Sequence, residues 1–118
     1  MHQRPHERLI VWREAHRLCI RINIMIRKFP PYERDGLIDQ MRRSSYSVPL
    51  NIAEGNNKKT PKGKRQFFGI AHASLEELHS QTRLAYDLHS MSEDEFLQTD
   101  DHINRVSYLL TRLEAAFR

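Results

Sequence analysis

The chain has 118 residues, a mass of 14.1 kDa, 39% hydrophobic residues and 29% charged residues, which is typical of one folded domain and excludes a disordered chain. It contains no apolar run near the roughly 20 residues that a membrane helix needs. Its first residues, MHQRPHERL, lack the apolar segment of a secretory signal. A single cysteine, Cys19, excludes a disulfide within the chain and favours a reducing, cytoplasmic location.

The net charge of +4 is distributed unevenly along the chain. Residues 1–28 carry seven lysines and arginines against two acids, and residues 58–65 carry five without any acid. Residues 66–118 reverse the balance, with four cations against nine acids. A basic part and an acidic part in one chain predict either a polyanionic partner or copies of the chain that attract one another.

Apolar residues recur at helical spacing over residues 7–28, which predicts the first helix. Its predicted buried seam is Leu9, Trp12, Ala15, Cys19, Ile22 and Ile26, widened by Val11, Leu18, Met25 and Phe29. Isoleucines lie among arginines on the opposite face, and large aliphatic side chains on a basic face indicate contact with another molecule. We therefore predict a protein–protein surface at Arg17, Ile20, Arg21 and Ile24. Its candidate neighbour is the acidic group Glu93, Asp94, Glu95, Asp100 and Asp101.

Pro30 and Pro31 end the first helix, and the second is predicted over residues 33–56. Its predicted buried line is Leu37, Met41, Ser44, Val48 and Ile52. A polar stripe runs beside that line: Gln40, Arg43, Ser47, Asn51 and Glu54. Pro49 lies on neither and deprives the carbonyl of Ser45 of its helical partner, which predicts a bend that Ser44, Ser45 or water repairs. The stripe is either a solvated edge or a network at a contact between subunits, using Arg43 and Glu54.

Two further helices follow a turn of sequence NNKKTPKGK. Thr60 is predicted to cap the third helix, which begins at Pro61 and runs to about residue 89 with the seam Phe68, Ala71, Leu75, Leu78, Thr82 and Ala85. Ser92 and Glu95 form a capping box for the fourth, which runs to about residue 117 with the seam Ile103, Val106, Leu110, Leu113 and Phe117. Short connections and no strand-like alternation predict an all-α, antiparallel up-down four-helix bundle, a single domain over residues 1–118.

Three segments of the chain resemble one protein family. The segment GLIDQMRRSSYSVPLNIAEG, residues 36–55, is similar to the signature of the 23S rRNA-intervening-sequence proteins, L-x-x-Q-x-R-R-[AS]-x-x-S-[IV]-P-x-N-I-A-E-G. The matching positions are Leu37, Gln40, Arg42, Arg43, Ser44, Ser47, Val48, Pro49, Asn51, Ile52, Ala53, Glu54 and Gly55. LIVWREA at residues 9–15 and QFFGIAHASLEEL at residues 66–78 resemble two other blocks of that family, although Ala73 stands where glycine is usual.

The resemblance implies a four-helix up-down bundle that assembles as a homopentamer. Some members of the family are encoded within insertions of large-subunit rRNA genes. The related accessory variability determinant proteins of diversity-generating retroelements bind nucleic acid and a reverse transcriptase. For most members the molecular function is not established, so the resemblance implies a fold and an assembly rather than an activity.

The turn between the second and third helices is a candidate nucleic-acid site. We define the basic turn as its five cations: Lys58, Lys59, Lys62, Lys64 and Arg65. Cations in a turn, next to the N–H groups that begin a helix, suit phosphate. Few aromatic residues accompany them, so contact through phosphates and poor base selectivity are expected. The alternative is a solvated loop that keeps the protein in solution.

Enzymatic chemistry has weaker support in the sequence. Glu76 and His79 form one E-x-x-H motif, but the second copy that a di-iron bundle needs is missing, so His72, Glu76 and His79 predict at most adventitious metal binding. Cys19 falls on a buried seam, and no phosphate-binding loop is present. We predict no catalytic residue, metal or cofactor. The sequence thus predicts a non-enzymatic bundle that self-assembles and binds RNA or DNA, or alternatively a protein–protein scaffold or adaptor.

Overall fold

The computed structural model describes residues 2–118, apart from the side chain of Asp35, and within that part it is all-helical, without strands. Four α-helices account for most of it: α1 (Ile10–Met25), α2 (Asp39–Asn57), α3 (Pro61–Asp87) and α4 (Glu93–Ala115). The fold class predicted from the sequence is therefore confirmed at the level of four helices and no sheet. No helix in residues 2–118 combines the length and apolar content needed to cross a membrane.

The first two helices are shorter than predicted because turns of other helix types flank them. A 3-10 turn, Pro5–Arg8, precedes α1, and another, Ile26–Lys28, follows it. Before α2 the chain passes through a 3-10 turn, Pro31–Glu33, and a π-helical segment, Arg34–Ile38. In that segment Gly36 has φ −113° and ψ −107°, outside the helical range, so the regular helix begins only after it. The predicted starts at residues 7 and 33 were wrong for this reason.

The helices pack as a closed group in which each has two main neighbours. Helix α1 packs on α2 and α4, and α3 packs on the same two helices. The contact between α2 and α3 is the most extensive. One apolar cluster fills the centre, with contributions from all four helices and from Phe29 and Met91 in the connections.

The buried face of α1 is rotated relative to the predicted seam. Val11, Leu18 and Met25, which we expected only to widen the seam, are almost fully buried. In contrast, Leu9, Trp12 and Cys19 are only partly buried. Trp12 stacks on His16 at a ring separation of 4.7 Å near the surface. The predicted seam of α1 was therefore wrong by part of a turn.

The seams of α2 and α3 are confirmed in full, and that of α4 in its central part. The buried line of α2 lies in the core as predicted, and so do all six seam residues of α3. In α4, Ile103, Val106 and Leu110 are buried, whereas Leu113 and Phe117 are only partly so. The last two helices end slightly before the predicted residues, at Asp87 and Ala115.

Pro49 is buried within an α2 that continues on both sides of it, so the prediction that it lies off the apolar face was wrong. The predicted repair of the bend by serines is also wrong. The Ser44 hydroxyl donates to Glu77, and the Ser45 hydroxyl donates to the carbonyl of Arg42. Neither serine side chain therefore reaches the carbonyl that the proline leaves without its N–H partner.

Both predicted caps are present. The Thr60 side chain accepts a hydrogen bond of 3.0 Å from the N–H of Gly63, which fixes the start of α3. At the start of α4, Ser92 accepts from the N–H of Glu95, and Glu95 accepts from the N–H of Ser92. Three acids in the first turn of α4 also complement the positive end of its dipole.

Candidate functional site

The basic turn lies where α2 ends and α3 begins, and three of its five cations are bound to the chain itself. The Lys64 ammonium donates to the carbonyl of Asn56 at 2.9 Å, and the Arg65 guanidinium donates to the carbonyl of Phe117. The Asn56 carbonyl belongs to the last turn of α2, and Phe117 lies two residues beyond the end of α4. Carbonyls at the C-terminal end of a helix lack N–H partners and carry partial negative charge. Part of the basic turn therefore has a structural role.

Aromatic rings support the same cations. Lys64 lies over the ring of Phe117 at 5.3 Å, and Lys58 lies over that of Phe67 at 4.8 Å. Lys58 also pairs with Glu54 at 3.5 Å. Lys59 and Lys62 are exposed, and within residues 2–118 neither makes a hydrogen bond or ion pair. These two lysines are the cations of the turn with no role in holding the fold.

The predicted protein–protein surface on α1 borders a groove of about 470 Å³ between α1 and α4. Ile20 and Ile24 line it and are 48% and 53% exposed, so they are not part of the core. The other lining residues are Arg17, Arg21, Met25, Lys28, Glu95, Gln98, Thr99 and His102. The structure thus brings all four predicted surface residues of α1 together along one apolar, basic-rimmed groove.

Two of the lining residues, Arg17 and His102, contact the carboxylate of Glu14 on α1. This carboxylate lies 3.2 Å from Arg17 and 3.3 Å from both Arg105 and His102. Of the acidic group expected to face α1, Glu95 does so, pairing with Lys28 at 3.1 Å. Within the chain, the Asp100 carboxylate pairs with His79 of α3 at 3.1 Å. A protein–protein contact between the α1 surface and the acidic group stays a prediction.

His102 is the half-buried titratable group between α1 and α4. Its Nδ1 accepts a hydrogen bond of 3.2 Å from Nε of Arg21, so the proton of the neutral ring is on Nε2. Although Nε2 lies 3.3 Å from Glu14, it makes no well-aligned hydrogen bond. Burial and then the charge of Arg21 lower the pKa of His102 against the opposing charge of Glu14. Folding therefore favours the neutral form of His102.

The polar stripe of α2 makes local contacts. Arg43 pairs with Asp39 at 3.2 Å, and Glu54 pairs with Lys58, each one turn away on the same helix. Ser47 accepts a hydrogen bond of 2.7 Å from Ser74 of α3, and the Asn51 amide donates to the same hydroxyl. The stripe thus holds α2 to α3 at Ser47, while its charges are satisfied locally.

A broad groove of about 920 Å³ runs beside this stripe, between α2 and α3. Its lining residues are mostly small or polar: Gln40, Arg43, Ser44, Ser47, Ala73, Ser74, Glu76, Glu77, Ser80 and Gln81. Ala73, which replaces the usual glycine of the resembled family, is exposed in the groove. Its methyl group therefore does not affect how α3 packs within the chain.

The residues weighed for metal binding are separated from one another. His72 contacts Glu114 at 2.7 Å and Glu76 at 3.9 Å, whereas His79 contacts Asp100. Within residues 2–118 no group of three or more histidine, cysteine or acidic side chains is placed to hold a metal ion.

Cys19 belongs to a small polar cluster between α1 and α2. Its thiol donates to Ser45 at 3.7 Å, and the Asn23 amide donates to the same Ser45 hydroxyl at 3.0 Å. Burial raises the pKa of the Cys19 thiol, opposed by the hydrogen bond with Ser45. A protonated thiol is a poor nucleophile, so this cluster contributes to packing.

These features define a helical protein with open surface grooves and a basic turn. A family model described as "23S rRNA-intervening sequence protein" matches residues 7–112, and the chain belongs to that family. A crystal structure of a protein with unknown function from the S23 ribosomal protein family, from Bacteroides thetaiotaomicron VPI-5482, is similar in fold with a TM-score of 0.82. The two are 16% identical, and the match covers 90% of this chain and 96% of that one. No curated protein matches the chain.

The outer face of α3 is a feature that the sequence interpretation missed. Ile70 and Leu84 are exposed on it, and Ala73, Glu77 and Ser80 lie between them. The available signal was that these two aliphatic residues fall off the buried seam of α3, as Ile20 and Ile24 do on α1. The sequence interpretation applied that criterion to α1 alone.

Proposed function

We propose that the protein is a non-enzymatic, single-domain bundle that self-assembles as a homopentamer and binds the phosphate backbone of RNA or DNA through the basic turn. An antiparallel up-down topology is part of this proposal. The contact between Arg65 near the start of α3 and Phe117 after α4 supports it, as does the pair of Lys28 after α1 with Glu95 at the start of α4. The cytoplasmic location remains a prediction based on the single cysteine.

The observation that supports nucleic-acid binding is that Lys59 and Lys62 are exposed and unpaired. Both are exposed next to three further cations, in a segment of eight residues that contains no acid. Because the other three cations are held by helix ends and aromatic rings, the turn presents its two unpaired lysines from a fixed backbone. Such an arrangement suits phosphate groups, which attract positive charge whatever the base sequence is.

The test compares two double variants with the same change in charge. Lys59→Ala/Lys62→Ala removes the two unpaired lysines of the turn, whereas Arg27→Ala/Arg34→Ala removes two exposed arginines in the connection between α1 and α2. Binding to labelled single-stranded RNA and duplex DNA of unrelated sequence is measured over a salt series. We expect the lysine variant to weaken binding to every sequence and to lower the salt slope by about one or two. The arginine variant should bind like the wild type.

Two results would refute this proposal. One is negligible binding of the wild type at low salt, and the other is an equal effect of the two double variants. Self-assembly is tested separately by light scattering over a dilution series. The expected mass is five times the 14.1 kDa of one chain, and a mass of 14.1 kDa at every concentration would refute self-association.

A protein–protein adaptor is the second candidate function, and the groove between α1 and α4 favours it. Its exposed isoleucines gain free energy from burial against another protein and little from phosphates. Under this alternative the lysines of the turn are solvated. Negligible nucleic-acid binding together with intact assembly would select it.

A further inference from the structure

Helix α1 carries an exposed line of residues that its own chain does not cover. We define the α1 outer seam as Ile10, Arg13, Arg17, Ile20 and Ile24, which follow one another in steps of three, four, three and four. All five are exposed, and the three isoleucines are each about half exposed, at 48–57%. An aliphatic line of this kind on a helix is typical of packing against another helix.

Helix α3 carries a second line with the same steps. We define the α3 outer seam as Ile70, Ala73, Glu77, Ser80 and Leu84, all of them exposed. Both seams span the same number of residues and so have the same length, about 21 Å along the helix axis. Because α1 and α3 each pack between α2 and α4, their outer seams face different sides of the molecule and do not cover each other within one chain.

The two seams have complementary shapes. Helix α1 forms a ridge with a groove on each side, since Ile20 lines both the groove toward α4 and a smaller one of about 370 Å³ toward α2. The α3 outer seam borders the broad groove between α2 and α3, and five of the ten residues that line this groove are small: Ser44, Ser47, Ala73, Ser74 and Ser80. Large side chains on one helix and small ones on the other allow a ridge to pack into a groove.

The charges of the seams are also complementary. The α1 outer seam contains two arginines and no acid, and its Arg17 also pairs with Glu14 of the same helix at 3.2 Å. The α3 outer seam contains Glu77 and no cation, with Glu76 beside it. Arg17 and Glu77 each hold the middle position of their seam. If the seams pack together, these two residues therefore oppose each other whichever way the helices run. Aliphatic residues at both ends of each seam would flank the pair.

We propose that the α1 outer seam of one copy of the chain packs on the α3 outer seam of the next copy, with Arg17 opposite Glu77. The proposal rests on the self-assembly proposed above and names the surfaces that form it. Because the two surfaces differ, the contact is head-to-tail, and repetition closes a ring when the rotation per copy allows it. Nucleic acid is a poorer occupant of the α1 outer seam, because three of its five residues are isoleucines.

The test is a charge exchange between the two seams, read by light scattering and sedimentation over a dilution series. Arg17→Glu places two acids opposite each other, and Glu77→Arg places two cations opposite each other, so each should raise the concentration at which the assembly dissociates by about tenfold or more. The double variant restores an opposite pair and should return to within about threefold of the wild type. Arg34→Glu is the matched control, because Arg34 is exposed in the connection before α2 and lies on neither seam. It should leave assembly unchanged.

Each outcome decides the proposal. Loss of assembly in both single variants and its recovery in the double variant would establish the pairing, because Arg17 and Glu77 lie on different helices and cannot rescue each other within one folded copy. Circular dichroism verifies that the single variants remain helical. An assembly that both single variants leave intact would overturn the proposed contact while self-assembly stands. A wild type that is monomeric throughout would overturn both. Weaker RNA binding by Arg17→Glu at unchanged mass would assign the seam to nucleic acid and also overturn the proposal.

Discussion

Gly55 of α2 lies against the ring of Phe68 of α3, so close that a Cβ atom at residue 55 would be 2.6 Å from Cε1 of that ring. Phe68 is completely buried, so its ring cannot swing into solvent to make room. The added Cβ atom would also lie only 3.2 Å from the Cβ of Phe67, which is held by the backbone of α3. The glycine therefore sets the distance between α2 and α3 immediately before the basic turn.

We expect Gly55→Ala to lower the free energy of unfolding by about 1–3 kcal/mol, because the added methyl group overfills a packed contact. In an exposed helix the same substitution would raise stability by roughly 0.5–1 kcal/mol. The expected sign is thus opposite to that of helix propensity. Urea unfolding, followed by circular dichroism, measures the difference.

Gly69→Ala is the matched control. Gly69 is exposed within α3, and a Cβ atom there would meet nothing within 4 Å. This variant should gain about 0.5–1 kcal/mol. Equal stability changes for the two alanine variants would show that the contact with Phe68 is not the constraint on Gly55.

At the end of α3, a non-glycine residue has a backbone conformation that favours glycine. His89 has φ 64°, the left-handed conformation that costs an ordinary residue about 1 kcal/mol and glycine little. The N–H groups of His89 and Ser90 donate to the carbonyls of Tyr86 and Ala85, the hydrogen bonds that close a helix in this way. We expect His89→Gly to raise the free energy of unfolding by about 1 kcal/mol, seen as a higher Tm.

His89→Ala separates the backbone effect from the loss of the imidazole. Alanine has the same difficulty as histidine in the left-handed region, so it should give no increase in Tm. An equal increase for the glycine and alanine variants would instead assign the gain to removal of the side chain.

Much of the fold was predictable because α2, α3 and α4 each concentrate most of their apolar residues on one face. The seams of α2 and α3 and the two N-terminal caps follow from spacing alone, since each has a clear polar side. Helix α1 was harder: Ile10, Ile20 and Ile24 place apolar residues around much of its circumference. Which part is buried depends on where α2 and α4 pack, and local spacing does not encode that.

The sequence predicts which cations form the basic turn, but it does not predict which of them bind other parts of the chain. The cations of the basic turn are visible in the sequence, yet Arg65 contacts the carbonyl of a residue 52 positions away. Which cations are bound to helix ends and which are unpaired depends on where the ends of α2, α3 and α4 meet. The α3 outer seam, in contrast, was open to the criterion applied to α1, because Ile70 and Leu84 fall off the buried seam of α3, and the packed structure shows that both are exposed.

The structural role of Lys64 predicts a variant that separates stability from binding. Lys64→Met keeps an apolar stem near Phe117 but removes the ammonium that donates to Asn56 at the C-terminal end of α2. We expect a loss of about 0.5–1 kcal/mol in the free energy of unfolding. Lys59→Ala/Lys62→Ala should leave stability within about 0.5 kcal/mol of the wild type, because both lysines are exposed and neither makes a hydrogen bond or ion pair with another described residue.

Both variants are compared in urea unfolding and in the RNA-binding assay. The fold requires Lys64 and the proposed ligand requires Lys59 and Lys62, so the two measurements should rank the variants in opposite order. A double variant that unfolds as easily as Lys64→Met would show that the unpaired lysines also stabilise the turn.

His102 makes stability depend on pH in a definite direction. Its pKa in the folded chain is lowered from the ordinary 6.5, first by burial and then by Arg21. The unfolded chain, with the ordinary pKa, takes up the proton at a higher pH than the folded chain does. The stabilisation from neutral His102 is therefore complete above pH 6.5 and is lost as the pH falls through the lower folded pKa.

Protonation on Nδ1 would also remove the acceptor of the hydrogen bond from Arg21 and place two cations side by side. Arg17 and Arg105 lie nearby, and Glu14 is the compensating acid. We expect His102→Gln, which cannot take up this proton, to lose less stability than the wild type between about pH 8 and about pH 5. Urea unfolding of both proteins over that range measures the difference. His2→Gln, at an exposed histidine, is the control and should follow the wild type. If His102→Gln also followed the wild type, the ring of His102 would have to accept its proton in the folded chain as easily as in the unfolded one.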